Sequence, residues 1–214
     1  MSIEPGILAR GPWPVEAVRA VWREDAYVAA PETDAAADAQ IAALEERGSP
    51  SHDGLAARMA SFDATDGLEL ELQPMRWSLR LVPGNALASM SVLCVVRDAD
   101  GRWLAGRRAA WVSSWANRWA LGAGGAVEVG ENPAEALTRE LEEEWSLVPE
   151  RTQLEALVCT RDRLVLLIGQ AWVPADAPVV RDDEHDAHAW WPADPDDWPE
   201  EAEGSLRFMA KMLQ

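Results

Sequence analysis

The sequence predicts an α/β fold preceded by an α+β extension, and three observations carry that prediction. Segments of strand length recur from residue 88 onward: the continuous apolar run Met90 to Val96, and two further strand candidates, Leu154 to Thr160 and Leu164 to Val173. A helix with a complete start signal stands between the first run and the second. Ahead of residue 88, Ala-rich helical segments give way to a hairpin pattern.

Taken in order, Pro14 to Trp22 reads as a first helix. Asp34 to Glu46 reads as a second, with Ile41, Leu44 and neighbouring alanines on one side and Gly48 as its stop. Gly48 to Gly54 is a loop by composition. Leu55 to Phe62 and Leu68 to Leu72 read as paired strands, because Asp66-Gly67 is a hairpin turn and Leu68, Leu70 and Leu72 alternate. Met90 to Val96 is a buried strand, Asp98 to Gly101 a turn, and Trp103 to Ala105 the start of a return strand. The two later runs flank Arg161-Asp162-Arg163. Asp182 to Glu203 is acidic and proline-punctuated, a solvated loop apart from Ala189-Trp190-Trp191, and a helix from about Glu203 to Leu213 closes the chain. This divides the chain into residues 1–87, helices followed by a β-hairpin, and residues 88–214.

Composition narrows the function. The 214 residues include 19 Lys plus Arg against 37 Asp plus Glu, a net charge of -18. Such a surface repels nucleic-acid polymers, which need clustered cations to displace counterions. It still admits a small phosphorylated ligand where a cation or a few arginines reverse the field. No apolar run reaches the ~20 residues of a membrane helix, so no membrane partner is expected. The two cysteines, Cys94 and Cys159, sit in apolar surroundings and read as buried free thiols of a cytoplasmic protein, with a homodimer admitted. The 12 tryptophans point to aromatic packing before they point to any ligand.

One stretch carries chemistry. Gly124-Gly125 leads through Glu131 to a helix in which Asn132 caps, Pro133 takes the first position and Glu135 stands where a capping box needs it. Glu140, Glu143 and Glu144 fall within an arc of roughly 100° on that helix. Ala134, Leu137, Leu141 and Trp145 fill the adjoining arc. Like charges at this spacing destabilise a helix, and Arg139 offsets them only in part. Three carboxylates beside a core-facing stripe suit a hard cation, with substrate phosphates completing its shell. An acidic solvent face is the ordinary reading of such a run in a Glu-rich chain.

The spacing of Gly125, Glu131, Arg139, Glu140, Leu141, Glu143, Glu144 and Leu147 resembles the Nudix box, with Ser146 in place of its second glycine. A chance match of this kind is on the order of 10⁻⁶ by average residue usage. The resemblance spans about residues 88 to 213. It implies an α/β/α sandwich around a mixed sheet, and divalent-cation-dependent hydrolysis of a diphosphate linkage in a small nucleoside diphosphate derivative, a nucleotide sugar being one candidate. It also implies that Glu140, Glu143 and Glu144, with the Gly124 carbonyl, hold Mg²⁺ or Mn²⁺, and that Arg139 orients carboxylates with Glu131 as partner. Some members of the family place the catalytic base outside the box, for which Glu184 and Asp186 are the candidates. Ser146 puts the turn after the helix in question, since a left-handed residue with a Cβ costs about 1 kcal/mol.

Other residues could meet the substrate. Arg107, Arg108 and Arg118 are candidates for phosphates, and strand alternation lets only one of the first two face a site. Trp119, with Trp111 and Trp115, could stack on a base, although packing is the commoner use. His185 and His188 are too few for a transition-metal site. Two rival functions remain: a Nudix-fold ligand-binding module without turnover, and a diphosphate isomerase, whose catalytic cysteine neither Cys94 nor Cys159 is well placed to supply.

Overall fold

In the computed structural model of the chain, which describes residues 3–49 and 53–214, the apolar runs form the middle of a seven-stranded mixed sheet. The strands are β1 (Gly6–Trp13), β2 (Val18–Trp22), β3 (Leu55–Asp63), β4 (Leu68–Arg76), β5 (Met90–Asp98), β6 (Trp103–Arg108), β7 (Trp119–Leu121), β8 (Arg151–Cys159), β9 (Val165–Val173) and β10 (His185–Trp191). The helices are α1 (Pro31–Glu46), α2 (Pro133–Trp145) and α3 (Gly204–Met212). The large sheet runs β1-β8-β9-β5-β6-β10, with β7 paired to β6. Its one parallel pair, β5 with β9, joins the two most apolar strands at the centre, where burial on both faces suits unbroken apolar runs. β2, β4 and β3 form a three-stranded sheet in that order.

Helices cover both faces of the large sheet. α2 presses Leu137, Leu141 and Trp145 into one core with Val92, Leu157 and Leu167. Burying such side chains contributes about 2 kcal/mol each. On the other face, α3 sets Leu206 and Ala210 against Trp103, Trp191 and Trp198, whose rings meet edge-on or tilted at 5.0 to 5.8 Å. Most of the aromatic surplus thus goes into packing. α1 closes a third cluster through Ala37, Met75 and Leu79. No helix among the described residues is long and apolar enough to cross a membrane.

The N-terminal region departs most from expectation. Pro14 to Trp22 is not a helix: after a single 3₁₀ turn at Val15–Ala17, Val18–Trp22 is a strand parallel to β4. Val15, Val18 and Val21, three apart, imitate a helical stripe, but burial alternates along β2 with Val18 inward and Arg19 outward. Pairing with β4 overrides the propensity. β1 has no counterpart in the sequence reading. It lies at the sheet edge beside β8 with two register shifts, where Gly11 and Pro12 are tolerated. β10 begins at His185, so the stretch read as solvated loop up to Ala189 is partly a strand, paired with β6. The expected loop at Gly48 to Gly54 lies in part outside the described residues.

Residues on either side of position 87 share contacts. β1 joins the large sheet, Ala57 and Met59 of β3 donate their amides to the carbonyls of Val127 and Ala88, and Met59, Leu70 and Leu72 belong to the same core as Met90 and Val92.

Candidate active site

The site begins with how α2 is fixed in place. Asn132 Oδ1 accepts from the Ala134 amide at 3.0 Å, while its Nδ2 donates to the Val18 carbonyl of β2 at 3.0 Å. One side chain therefore caps the helix and ties it to the small sheet. The reciprocal bond expected of Glu135 is not formed among the described residues. At the other end Ser146 adopts the left-handed conformation, φ 52° and ψ 34°, the geometry a glycine would take there without strain. The Trp145 indole N–H donates to the Gly122 carbonyl at 3.0 Å, which draws the end of α2 against the glycine-rich segment.

That segment runs antiparallel along β5. The Ala123 and Gly125 carbonyls accept from the Cys94 and Val92 amides, and the Val127 amide donates to Met90. Residues 124 and 126 therefore turn their peptide groups away from β5, toward α2. The Gly124 amide donates to Glu144 Oε1 at 3.0 Å, and the Ala126 carbonyl accepts from Arg139 at 3.2 Å. The Gly124 carbonyl shares the orientation of its amide and faces the acids. Gly125 is required for close approach: a Cβ there would lie 2.2 Å from Glu140 Oε1.

Arg139 organises the carboxylates. It bonds both oxygens of Glu131, at 2.8 and 3.1 Å, and reaches Glu140 at 2.8 Å and Glu143 at 2.9 Å. Glu131 also accepts from the Glu128 amide at 3.0 Å. The hydrogen bonds to Glu131 hold the Arg139 guanidinium firmly charged, against the cost of its burial. Of the three acids, Glu140 and Glu144 are buried, while the Glu143 side chain is 59% exposed. Burial pushes the Glu140 carboxyl up to about 7. Burial also raises the Glu144 carboxyl well above the usual range, outweighing the Gly124 amide and the nearby Arg108 charge. Glu144 Oε2 is buried with no hydrogen-bond partner among the described residues. Among the described residues no three acids, histidines or cysteines converge closely enough to close a metal site. The donor set nevertheless fits a hard cation: an orphaned buried carboxylate oxygen is a cost that an ion would offset.

A cavity of about 390 Å³ opens beside these residues, bounded on one side by Gly124, Glu144, Arg108 and Arg80. Much of the remaining wall is apolar and includes Leu93, Leu164, Leu166 and Met209. Arg108 points in, paired with Glu184 at 3.1 Å, whereas Arg107 points out and pairs with Asp186 at 2.6 Å. Glu184 lies close enough for its charge to act on Glu140 and Glu144. Asp186 sits away from the acids. Trp119 is not on the cavity wall: it packs on Trp191 at 5.5 Å, and Trp115 lines the cavity instead. Arg118 is held by Glu203.

Two residues at the site have no role there in the sequence reading, although His185 is weighed in it, with His188, as a transition-metal ligand. His185 is almost fully buried, stacks on Trp145 at 4.3 Å and places Nε2 3.7 Å from Glu144 Oε2. Burial brings its pKa down to about 4, so the ring is neutral at pH 7. Arg80 reaches the cavity from the segment between β4 and β5. Nothing local in the sequence places either beside the acids.

A mixed sheet between helices, with a capped acidic helix set against a glycine-rich segment at a cavity, defines an α/β/α sandwich built around buried carboxylates. The NUDIX domain family matches residues 88–208, and the chain belongs to that family. Among solved structures, a MutT/nudix family protein from Enterococcus faecalis is 22% identical with a TM-score of 0.43, over 48% of this chain and 43% of that one. DR0079 from Deinococcus radiodurans is 20% identical with a TM-score of 0.48, over 58% of this chain and 82% of its own. The NUDIX domain of NrtR from Shewanella oneidensis, solved with ADP ribose, is 18% identical with a TM-score of 0.48, over 58% and 85%. No curated protein sequence matches the chain.

Proposed function

We propose that this protein hydrolyses a diphosphate linkage in a small nucleoside diphosphate derivative, a nucleotide sugar being one candidate, with Mg²⁺ or Mn²⁺ as cofactor. The observation that carries the reading is the orphaned Oε2 of Glu144, buried beside Glu140 and the Gly124 peptide at the wall of a cavity that also holds Arg108. Glu140, Glu143, Glu144 and the Gly124 carbonyl would hold the cation, which neutralises the diphosphate and lowers the pKa of an attacking water. Arg139 keeps Glu140 and Glu143 aimed, using Glu131 as its anchor. Arg108 offers a positive charge to a phosphoryl oxygen. Glu184 beside it is the candidate to take a proton from water, and its carboxylate is 39% exposed, open to exchange that proton with solvent.

A module that only binds ligand is the second reading, and the buried acids argue against it, since two desolvated carboxylates side by side are costly to keep without a task. The isomerase reading lacks a nucleophile: Cys94 lies inside β5, and burial pushes its thiol up to about 12. Two buried free thiols and the net charge of -18 support a cytoplasmic setting without nucleic-acid or membrane partners.

The test is a chromatographic product screen across nucleotide sugars, dinucleoside polyphosphates and nucleoside triphosphates, with Mg²⁺ and with EDTA, because cleavage of the linkage yields phosphomonoesters or pyrophosphate rather than free phosphate. Turnover that needs the cation and falls by orders of magnitude in Glu144→Gln, with the fold intact, supports the proposal. A ligand that shifts the melting temperature without any turnover would favour the binding module.

A further inference from the structure

The cavity holds a cation that comes from outside the matched domain. Arg80 belongs to the short 3₁₀ segment Trp77–Leu81, ahead of residue 88. Protein encloses its guanidinium closely enough that burial brings the pKa down to about 10. The Trp77 ring lies 5.7 Å away, and Nη2 donates to Ser91 Oγ at 2.9 Å. That hydroxyl is its one hydrogen-bond partner among the described residues, and no carboxylate pairs with it. Glu140 acts on Arg80 only through its charge, without contact.

Four other arginines near the site are paired with carboxylates. Arg139 has three carboxylates, Arg108 has Glu184, Arg107 has Asp186, and Arg118 has Glu203. Arg58 and Arg97 are also partly buried without a carboxylate, but they lie over the rings of Tyr27 and Trp103 and neither lines the cavity, so Arg80 is the one of the three that faces it. Enclosing an unpaired charge is costly unless something completes its shell. Arg80 is not sealed off, however. It keeps accessible surface and lines the same cavity as Gly124, Glu144 and Arg108. A planar fork of donors aimed into such a space matches an oxyanion.

We infer that Arg80 is an anion-binding residue of this cavity, supplied by the N-terminal segment, and that it holds a phosphate or diphosphate group of the ligand. That the anion is a phosphate rests on the hydrolase reading above; that an anion binds there does not. Arg80 and Arg108 then hold the ligand's charge from two separate segments of the chain, while the apolar wall takes the uncharged part. The N-terminal segment is in this way part of the binding site and a determinant of which anions enter it.

The test uses the full chain in EDTA, with inorganic pyrophosphate as probe and calorimetry as readout, so it does not depend on turnover. Wild type should bind pyrophosphate at least tenfold more tightly than Arg80→Gln. Pyrophosphate should also raise the melting temperature of wild type and leave that of Arg80→Gln unmoved. Without ligand, Arg80→Gln should melt no lower than wild type, since it removes an enclosed charge. Where Arg80→Gln does not fold, Arg80→Met keeps the packed stem and carries the same comparison. Equal affinity in wild type and variant, or no binding by wild type, would overturn the inference. Arg80-dependent binding in a protein that turns over no diphosphate would leave the anion site standing and remove the hydrolase reading. Turnover with pyrophosphate binding indifferent to Arg80 would do the reverse.

Discussion

Gly125→Ala separates the site from the scaffold more cleanly than any change to an acid. A Cβ at this position would lie 2.2 Å from Glu140 Oε1, 2.4 Å from its Cδ and 2.5 Å from its Oε2, where Cβ atoms essentially never approach within 3.0 Å. The obstacle is the far end of a flexible side chain, so the carboxylate yields and the backbone does not. It must retreat by about 1 Å, out of its 2.8 Å bond with Arg139. A displacement of that size in a catalytic group costs turnover about a hundredfold. The stability lost is that of one charge-assisted bond, about 1.5–3 kcal/mol, or about 3–12 °C in melting temperature for a chain of this size. Gly204→Ala is the matched control, since nothing lies within 4 Å of its Cβ position and its φ is ordinary. The assay is kcat on the substrate found by the product screen, alongside a thermal melt. A Gly125→Ala protein that hydrolyses that substrate at the wild-type rate would refute the placement of Glu140 at the reacting centre.

Three further outcomes follow from the geometry. Asn132→Ala removes both the helix cap and the tie to Val18, and should cost about 1–2 kcal/mol in urea unfolding. Ser146→Gly relieves a left-handed residue at the end of α2 and should stabilise the fold by up to about 1 kcal/mol, raising the melting temperature without changing turnover. Burial raises the Cys94 thiol to about 12 and raises Cys159 as well, so both should resist a disulfide reagent in the native protein at pH 8 and react fully only in denaturant.

What the sequence shows and what it hides divide along the range of the interactions. α2 is legible because its cap, its proline, its stripe and its acids all lie within one short stretch, and each acts on the backbone next to it. The central strands β5 and β9 are legible for a similar reason: burial from both sides leaves a largely apolar run. β2 and β1 fail that test. The alternation of β2 is carried by only five residues, one of them an alanine and one an arginine, and only the partner strand β4 makes it a strand. β1 tolerates Gly11 and Pro12 because one side of it faces no neighbour. At the site, Arg139 with its acids belongs to the local pattern, whereas Arg80 and His185 acquire their surroundings from elements far along the chain. The exchange of Trp119 for Trp115 on the cavity wall has the same origin, because strand pairing to β6 turns Trp119 toward Trp191.

The residues before position 88 therefore bear on the site more than their place outside the matched domain suggests. Val18 accepts from the cap of α2, and the Trp22 indole donates to the carbonyl of Glu131, the residue that anchors Arg139. β3 bonds to Val127 at the far end of the glycine-rich segment, while Arg80 enters the cavity. Three of these contacts hold backbone on which the acids depend, and the fourth faces the space where a ligand would sit. A change in this region can alter both how firmly Glu140 and Glu144 are placed and which anion reaches them. Variation there would tune specificity while leaving the carboxylate helix itself untouched.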